Sequence, residues 1–152
     1  MQMRILMVLT SHSELGDTGE KTGFWLEEFA APYYAFLDAD AEVIIAAPQA
    51  GKPPIDPRSS APENQTEATQ RFENDADAQA QLANPVLLKD VSVDDAEAIF
   101  FPGGHGPMWD LATSEDVAKL VAAFDAQGKV VSAVCHGPAA FVNAKTPQGD
   151  SI

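Results

Sequence analysis

Cysteine is almost absent: the 152 residues hold one, Cys135. That excludes an intramolecular disulfide and any cysteine-rich zinc site. Cations are scarce too. Nine Lys and Arg stand against 23 Asp and Glu, for a formal net charge of -14. Tracking a nucleic-acid backbone or docking on anionic lipid needs clustered cations, so neither is expected. No apolar run approaches the ~20 residues that cross a bilayer. Met1 to Thr10 has one positive charge and a short apolar run, without the longer apolar region and small-residue cleavage site of a signal peptide. The chain is expected to be soluble and cytoplasmic. G-x-G-x-x-G after the first strand is missing, and Gly51-Lys52 makes no P-loop, so nucleotide binding is disfavoured.

What is present suits one globular domain. The hydrophobic share of 45% against 21% charged is a folding balance, and the length can bury a core without staples. Arg4–Thr10, Glu42–Ala47, Ala98–Phe101 and Lys129–Val134 are short apolar runs, as expected of strands buried on both faces. Between the first two, Ser11–Glu20 reads as a loop, and Thr22 is expected to cap a helix that begins near Gly23. Leu26, Phe29, Tyr33, Phe36 and Leu37 follow helical spacing, with Pro32 expected to kink or end the helix. Gly51–Pro57 is irregular. Glu63–Ala83 reads as a weakly amphipathic helix within an acidic, solvated insertion of about 61–97, where Arg71 and Lys89 are the only cations between Glu63 and Glu97. Ser114 opens a helix carrying Val117, Leu120, Val121 and Phe124 on one face, closed at Gln127-Gly128. Another helix is expected to begin with Ala139-Ala140-Phe141-Val142. Strands alternating with helices imply a parallel sheet covered on both faces.

In such sheets ligands bind beyond the carboxyl ends of the strands. Three features fall at such ends: the loop after Thr10, the Gly103-Gly104 turn and Cys135-His136. Ala133-Val134-Cys135-His136-Gly137 places small residues around a strand-to-helix junction, as a nucleophile elbow does. A thiol there faces free amide groups that favour the thiolate. A buried, inert cysteine fits the same pattern. His136 is a base or orienter, or a turn histidine that merely packs. The N–H groups of Gly103-Gly104 suit a developing oxyanion, or form only a tight turn. Glu28 lies among Trp25, Phe29 and Pro32, where burial raises a carboxyl pKa and makes a proton shuttle. Its neighbour Glu27 is the competing choice, and spacing alone does not decide. His12 and His105 are lone loop histidines without partners at ligand spacing, so no metal is expected.

These residues carry a resemblance. Ala133-Val134-Cys135-His136-Gly137-Pro138 resembles the nucleophile segment of the DJ-1/PfpI superfamily. Lys21-Thr22-Gly23-Phe24-Trp25-Leu26-Glu27-Glu28 with Pro32 is similar to the first-helix motif of its Hsp31-like branch. Pro53-Pro54-Ile55-Asp56-Pro57 and Gly103-Gly104-His105-Gly106 with Asp110-Leu111 resemble further signatures. The four motifs occur in order along nearly the whole chain.

The resemblance implies a flavodoxin-like α/β three-layer sandwich with a mainly parallel sheet, often dimeric. It implies Cys135 as nucleophile with His136 beside it, and it selects Glu28 over Glu27. It implies a cofactor-free, glutathione-independent glyoxalase acting on 2-oxoaldehydes such as methylglyoxal. Alternatives are a protein deglycase, a cysteine amidase or peptidase, and a holdase chaperone. A stress sensor that works by oxidation of Cys135 is also compatible. The family continues with a further strand, helices and an acid that orients the histidine. Asp150 is the only acid after Phe141, so the chain is expected to be a fragment whose fold and site are unfinished.

Overall fold

The computed structural model describes residues 1–152. Its sheet has five strands: β1 (Arg4–Val8), β2 (Glu42–Ala47), β3 (Val86–Leu87), β4 (Ala98–Phe101) and β5 (Val130–Ala133). They run in the order β3-β2-β1-β4-β5, and every pairing is parallel. The helices are α1 (Leu26–Asp38), α2 (Glu67–Glu73), α3 (Ala76–Ala83), α4 (Pro107–Asp110) and α5 (Glu115–Ala126).

The pleat divides the strand residues between two cores. Leu6, Val8, Ile99 and Phe101 face Val117, Leu120, Val121 and Phe124 of α5. Met7, Leu9, Val43, Ile45 and Phe100 face Leu26, Phe29, Ala30 and Tyr33 of α1. Each large apolar side chain removed from water contributes about 1.5–3 kcal/mol, so these two faces hold the sandwich together. The architecture is the expected flavodoxin-like α/β sandwich. From β1 the chain winds outward to β2 and β3, then returns to lay β4 and β5 on the other side. The crevice where winding reverses therefore lies at the carboxyl ends of β1 and β4.

Several local expectations change. Thr22 does not cap α1; its hydroxyl donates to Asp56 Oδ2 at 2.9 Å, and Trp25 is the uncapped N-cap residue. Pro32 sits inside α1 without ending it. Glu63–Ala83 is two helices rather than one, because Asp75 starts α3 by accepting the Ala78 N–H at 3.1 Å. The acidic segment also does more than cover the surface. Phe72, Ala78 and Leu82 are buried in the α1-side core, and Gln81 Nε2 donates to Val43 O at 2.6 Å. The two-residue strand β3 has no periodic signal in the sequence. Residues Gly137–Phe141 form a 3-10 turn in place of the expected helix. No helix is long and apolar enough to cross a membrane.

Candidate active site at the carboxyl ends of the strands

Cys135 stands two residues beyond β5. Val134 N–H still bonds to Phe101 O at 3.2 Å, and the Gly137 N–H closes the turn on Val134 O at 2.8 Å. Between those bonds the chain must reverse within one residue. Cys135 takes the bend with φ of 56°, in the left-handed region that L-residues seldom enter. Gly137 lies so close to Phe101 O that a Cβ there would collide with it. The elbow thus lifts the thiol into solvent, where Cys135 is exposed. Its Sγ is 3.2 Å from His136 Nδ1. Bent backbone is what lets adjacent side chains meet. The turn that follows is only five residues of 3-10 helix, so no long helix dipole faces the thiol.

Glu28 arrives from the first turn of α1. Its Oε1 is buried and has no hydrogen-bond partner. It points at Gly103: a Cβ built there would overlap Glu28 Oε1 and the Cys135 Cβ together. Burial pushes the Glu28 carboxyl above its ordinary range. The Cys135 thiol, the Gly103 N–H and His136 act in the opposite direction and do not cancel it. None of the three reaches hydrogen-bond geometry with Oε1, so their pull is that of near neighbours. Glu27, one residue earlier, turns the other way and accepts a hydrogen bond from Thr66 Oγ1. The helix therefore separates the two carboxylates that spacing left open.

Gly103 and Gly104 follow β4 into the same crevice. Gly104 has φ of 92°, and a Cβ on it would run into Gly23 O and the Phe24 and Trp25 backbone. Gly103 O accepts from Trp25 N–H at 3.1 Å, which ties the β4 turn to the start of α1. The N–H groups of Gly104 and Cys135 have no acceptor within the protein. Two free donors near a thiol can hold an oxyanion. The Cys135 N–H is a donor that the sequence reading missed; an elbow implies it, because bending exposes the nucleophile's own amide.

Further neighbours complete the site. His105 lies with its ring 4.6 Å from that of His136, tilted by 34°. Arg58 and Asp56 lie behind it, in a segment that the sequence marks only as a motif. Asp110 is a half-buried carboxyl pushed upward by burial, partly opposed by bonds from Thr10 Oγ1 and Ser11 N–H, both at 2.7 Å. It pins the loop after β1. No carboxylate bonds to His136. A surface cleft of about 370 Å³ lies away from the thiol, between α1 and α2, and takes Glu27 rather than Glu28 into its wall.

The chain is similar to known proteins in sequence and in fold. Glutathione-independent glyoxalase HSP31 of Saccharomyces cerevisiae is 33% identical over 141 residues, which are 91% of this chain and 59% of that protein. Glyoxalase 3 of Candida albicans is 31% identical over 149 residues, covering 96% of this chain and 63% of that protein. The chain thus spans about three fifths of the length of these curated relatives. The solved structure of the Francisella tularensis Rapid Encystment Protein (REP24) superposes with a TM-score of 0.91 at 38% identity, over 100% of this chain and 66% of that one. The sequence profile of the DJ-1/PfpI family matches residues 21–152, so the chain belongs to the DJ-1/PfpI family, in its Hsp31-like branch.

Proposed function

We propose that this chain carries the reaction centre of a glutathione-independent glyoxalase, which converts methylglyoxal and related 2-oxoaldehydes to 2-hydroxy acids. The observation that carries the reading is the unpartnered, buried Glu28 Oε1 aimed at the glycine that also backs Cys135. A carboxylate so placed has no structural bond to make and a raised affinity for a proton, as a proton shuttle requires. The relatives named for glyoxalase activity support the same reaction class.

In the proposed sequence the Cys135 thiolate attacks the aldehyde carbon, forming a C–S bond. His136 accepts the thiol proton. The new alkoxide is held by the N–H groups of the Gly103-Gly104 turn and of Cys135. Glu28 removes the proton from the former aldehyde carbon, and the electron pair moves through an enediolate to the neighbouring ketone. Glu28 returns that proton to the former ketone carbon and His136 gives the thiol proton to its oxygen, leaving a 2-hydroxy thioester on Cys135. Water breaks the C–S bond, releases the 2-hydroxy acid and restores the thiol. The aldehyde carbon is oxidised and the ketone carbon reduced within one molecule, so the redox change balances without a co-reactant. Net, one 2-oxoaldehyde and one water give one 2-hydroxy acid.

The test is lactate formation from methylglyoxal in the absence of glutathione, with Cys135→Ala and Glu28→Gln as controls. Lactate that depends on both residues supports the reading. Full turnover by Cys135→Ala, or no lactate from a folded native chain, overturns it.

A further inference from the structure

Behind the thiol runs a line of contacts that the proposed steps leave unused. Thr22 Oγ1 donates to Asp56 Oδ2 at 2.9 Å. Asp56 is fully buried and receives Arg58 through both carboxylate oxygens, Nε to Oδ1 at 3.0 Å and Nη2 to Oδ2 at 2.5 Å. The Arg58 backbone N–H adds a bond to Oδ1 at 2.9 Å. The same Nη2 reaches His105 Nδ1 at 3.1 Å. The His105 ring lies against the His136 ring at 4.6 Å, and His136 Nδ1 is 3.2 Å from Cys135 Sγ.

We propose that Arg58 is a positioning residue: clamped by Asp56, it fixes His105 as a neutral ring in one tautomer, and His105 holds His136 against the Cys135 thiol. The proposal rests on the reading that Cys135 and His136 are the reacting pair, and it adds the residues that set their charge.

A guanidinium donates hydrogen bonds, accepts none, and stays charged at any working pH. The His105 nitrogen that faces it must therefore present its lone pair, which puts the ring proton on Nε2. A second proton would go onto Nδ1. It would break the bond to Arg58 and set an imidazolium against a guanidinium. The charged and titratable groups acting on His105 are His136, Arg58 and Asp56. The first two oppose protonation. Asp56 favours it, but its charge is already paired with Arg58; Glu20 acts on Arg58 from the side. Burial works in the same direction as His136 and Arg58, and it is the largest influence holding His105 below its ordinary range.

A neutral His105 matters for its neighbour. Two imidazolium rings with centroids 4.6 Å apart would repel, so a neutral His105 spares His136 a neighbouring charge. With His105 neutral, His136 meets no charged imidazole when it takes the thiol proton in the proposed sequence. Lysine at position 58 would keep the charge but lose the planar fork that grips Asp56 and His105 at once.

The experiment reads histidine tautomers in the full chain by long-range proton–nitrogen NMR, alongside the pH dependence of Cys135 alkylation by iodoacetamide. The native chain is expected to show His105 as a single Nε2–H tautomer at about pH 7, protonating only at lower pH than a free histidine. In Arg58→Gln, His105 should become a tautomer mixture that protonates at higher pH than in the native chain. Alkylation at about pH 7 should slow about threefold as the thiol loses a well-placed imidazole. Arg58→Lys should fall between the two. An Nδ1–H tautomer of His105 in the native chain overturns the proposal, and needs no variant to fold. Unchanged His105 signals and alkylation in Arg58→Gln overturn it as well. Neither readout depends on turnover, so a chain that makes no lactate would refute the glyoxalase reading and leave Arg58 to be judged separately.

Discussion

Glu28 and Cys135 meet at a missing side chain. The Glu28 Oε1 and the Cys135 Cβ approach Gly103 so closely that a single Cβ there would overlap both. The glycine is a spacer: its hydrogen atom sets how near the carboxyl and the thiol-bearing carbon stand. Gly103→Ala should push them apart. Glu28 can swing away, but the Cys135 Cβ and Val134 O are fixed to the backbone, so the overlap should lower stability by about 1–3 kcal/mol. Lactate formation should fall more steeply than the melting temperature predicts. Full turnover with only a stability loss would show that the spacing is not needed.

The buried carboxyl has a pH signature with a definite sign. Burial raises Glu28 above its ordinary value of 4.5, so the folded chain holds that proton more tightly than the unfolded chain. Native stability from this group is whole below the unfolded value and is lost as pH rises toward the folded one. Glu28→Gln removes the ionisation. The variant should be more stable than the native chain at neutral pH in urea unfolding, and the gap should close as the medium is acidified below that value. A gap that is constant with pH would mean that Glu28 titrates normally. The same variant should lose lactate formation.

How much of this was legible in the sequence depends on how local the signal is. The four long strands follow from short apolar runs such as Ala98–Phe101, which pleating alone can bury on both faces. The helix face of Val117, Leu120, Val121 and Phe124 is likewise a matter of spacing. Cys135 was marked by the small residues around it and Glu28 by the motif it matches. The contacts that join them were not legible, because they cross the sheet. Thr22 reads as a helix cap until Asp56, 34 residues away, takes its hydroxyl. Arg58 and His105 lie 47 residues apart and carry no shared periodicity. The strand β3 is two residues long and exists only because β2 offers an edge. The acidic tract disguised Phe72 and Leu82 as parts of a solvated stretch, since composition averages over the few residues that pack.

The Thr22–Asp56 bond is buried, and this makes it measurable. Burial alone would raise the Asp56 carboxyl, but the bonds from Arg58 and Thr22 outweigh it and hold the group below its ordinary 3.8. Stability from this group is therefore present above the unfolded value and lost as pH falls through the folded one. Thr22→Val keeps the shape and removes one bond to a charged acceptor, which should cost about 1–3 kcal/mol near neutral pH. In urea unfolding the deficit should shrink in strong acid, once Asp56 is protonated. A deficit that persists unchanged there would assign the loss to packing around the introduced methyl group instead.

The last prediction sets stability against chemistry at the elbow. With φ of 56°, Cys135 occupies a conformation that costs an L-residue about 1–2 kcal/mol and glycine almost nothing. The thiol is exposed, so little packing is lost when it is removed. Cys135→Gly should therefore be more stable than Cys135→Ala, by about 1 kcal/mol after glycine's extra freedom in the unfolded chain is counted. Both variants lack the thiol, so the comparison isolates the backbone from the chemistry. Equal unfolding midpoints for the two would mean that the bend is unstrained. A higher midpoint for Cys135→Gly would mean that the chain gives up stability to present a nucleophilic side chain where glycine would fold better.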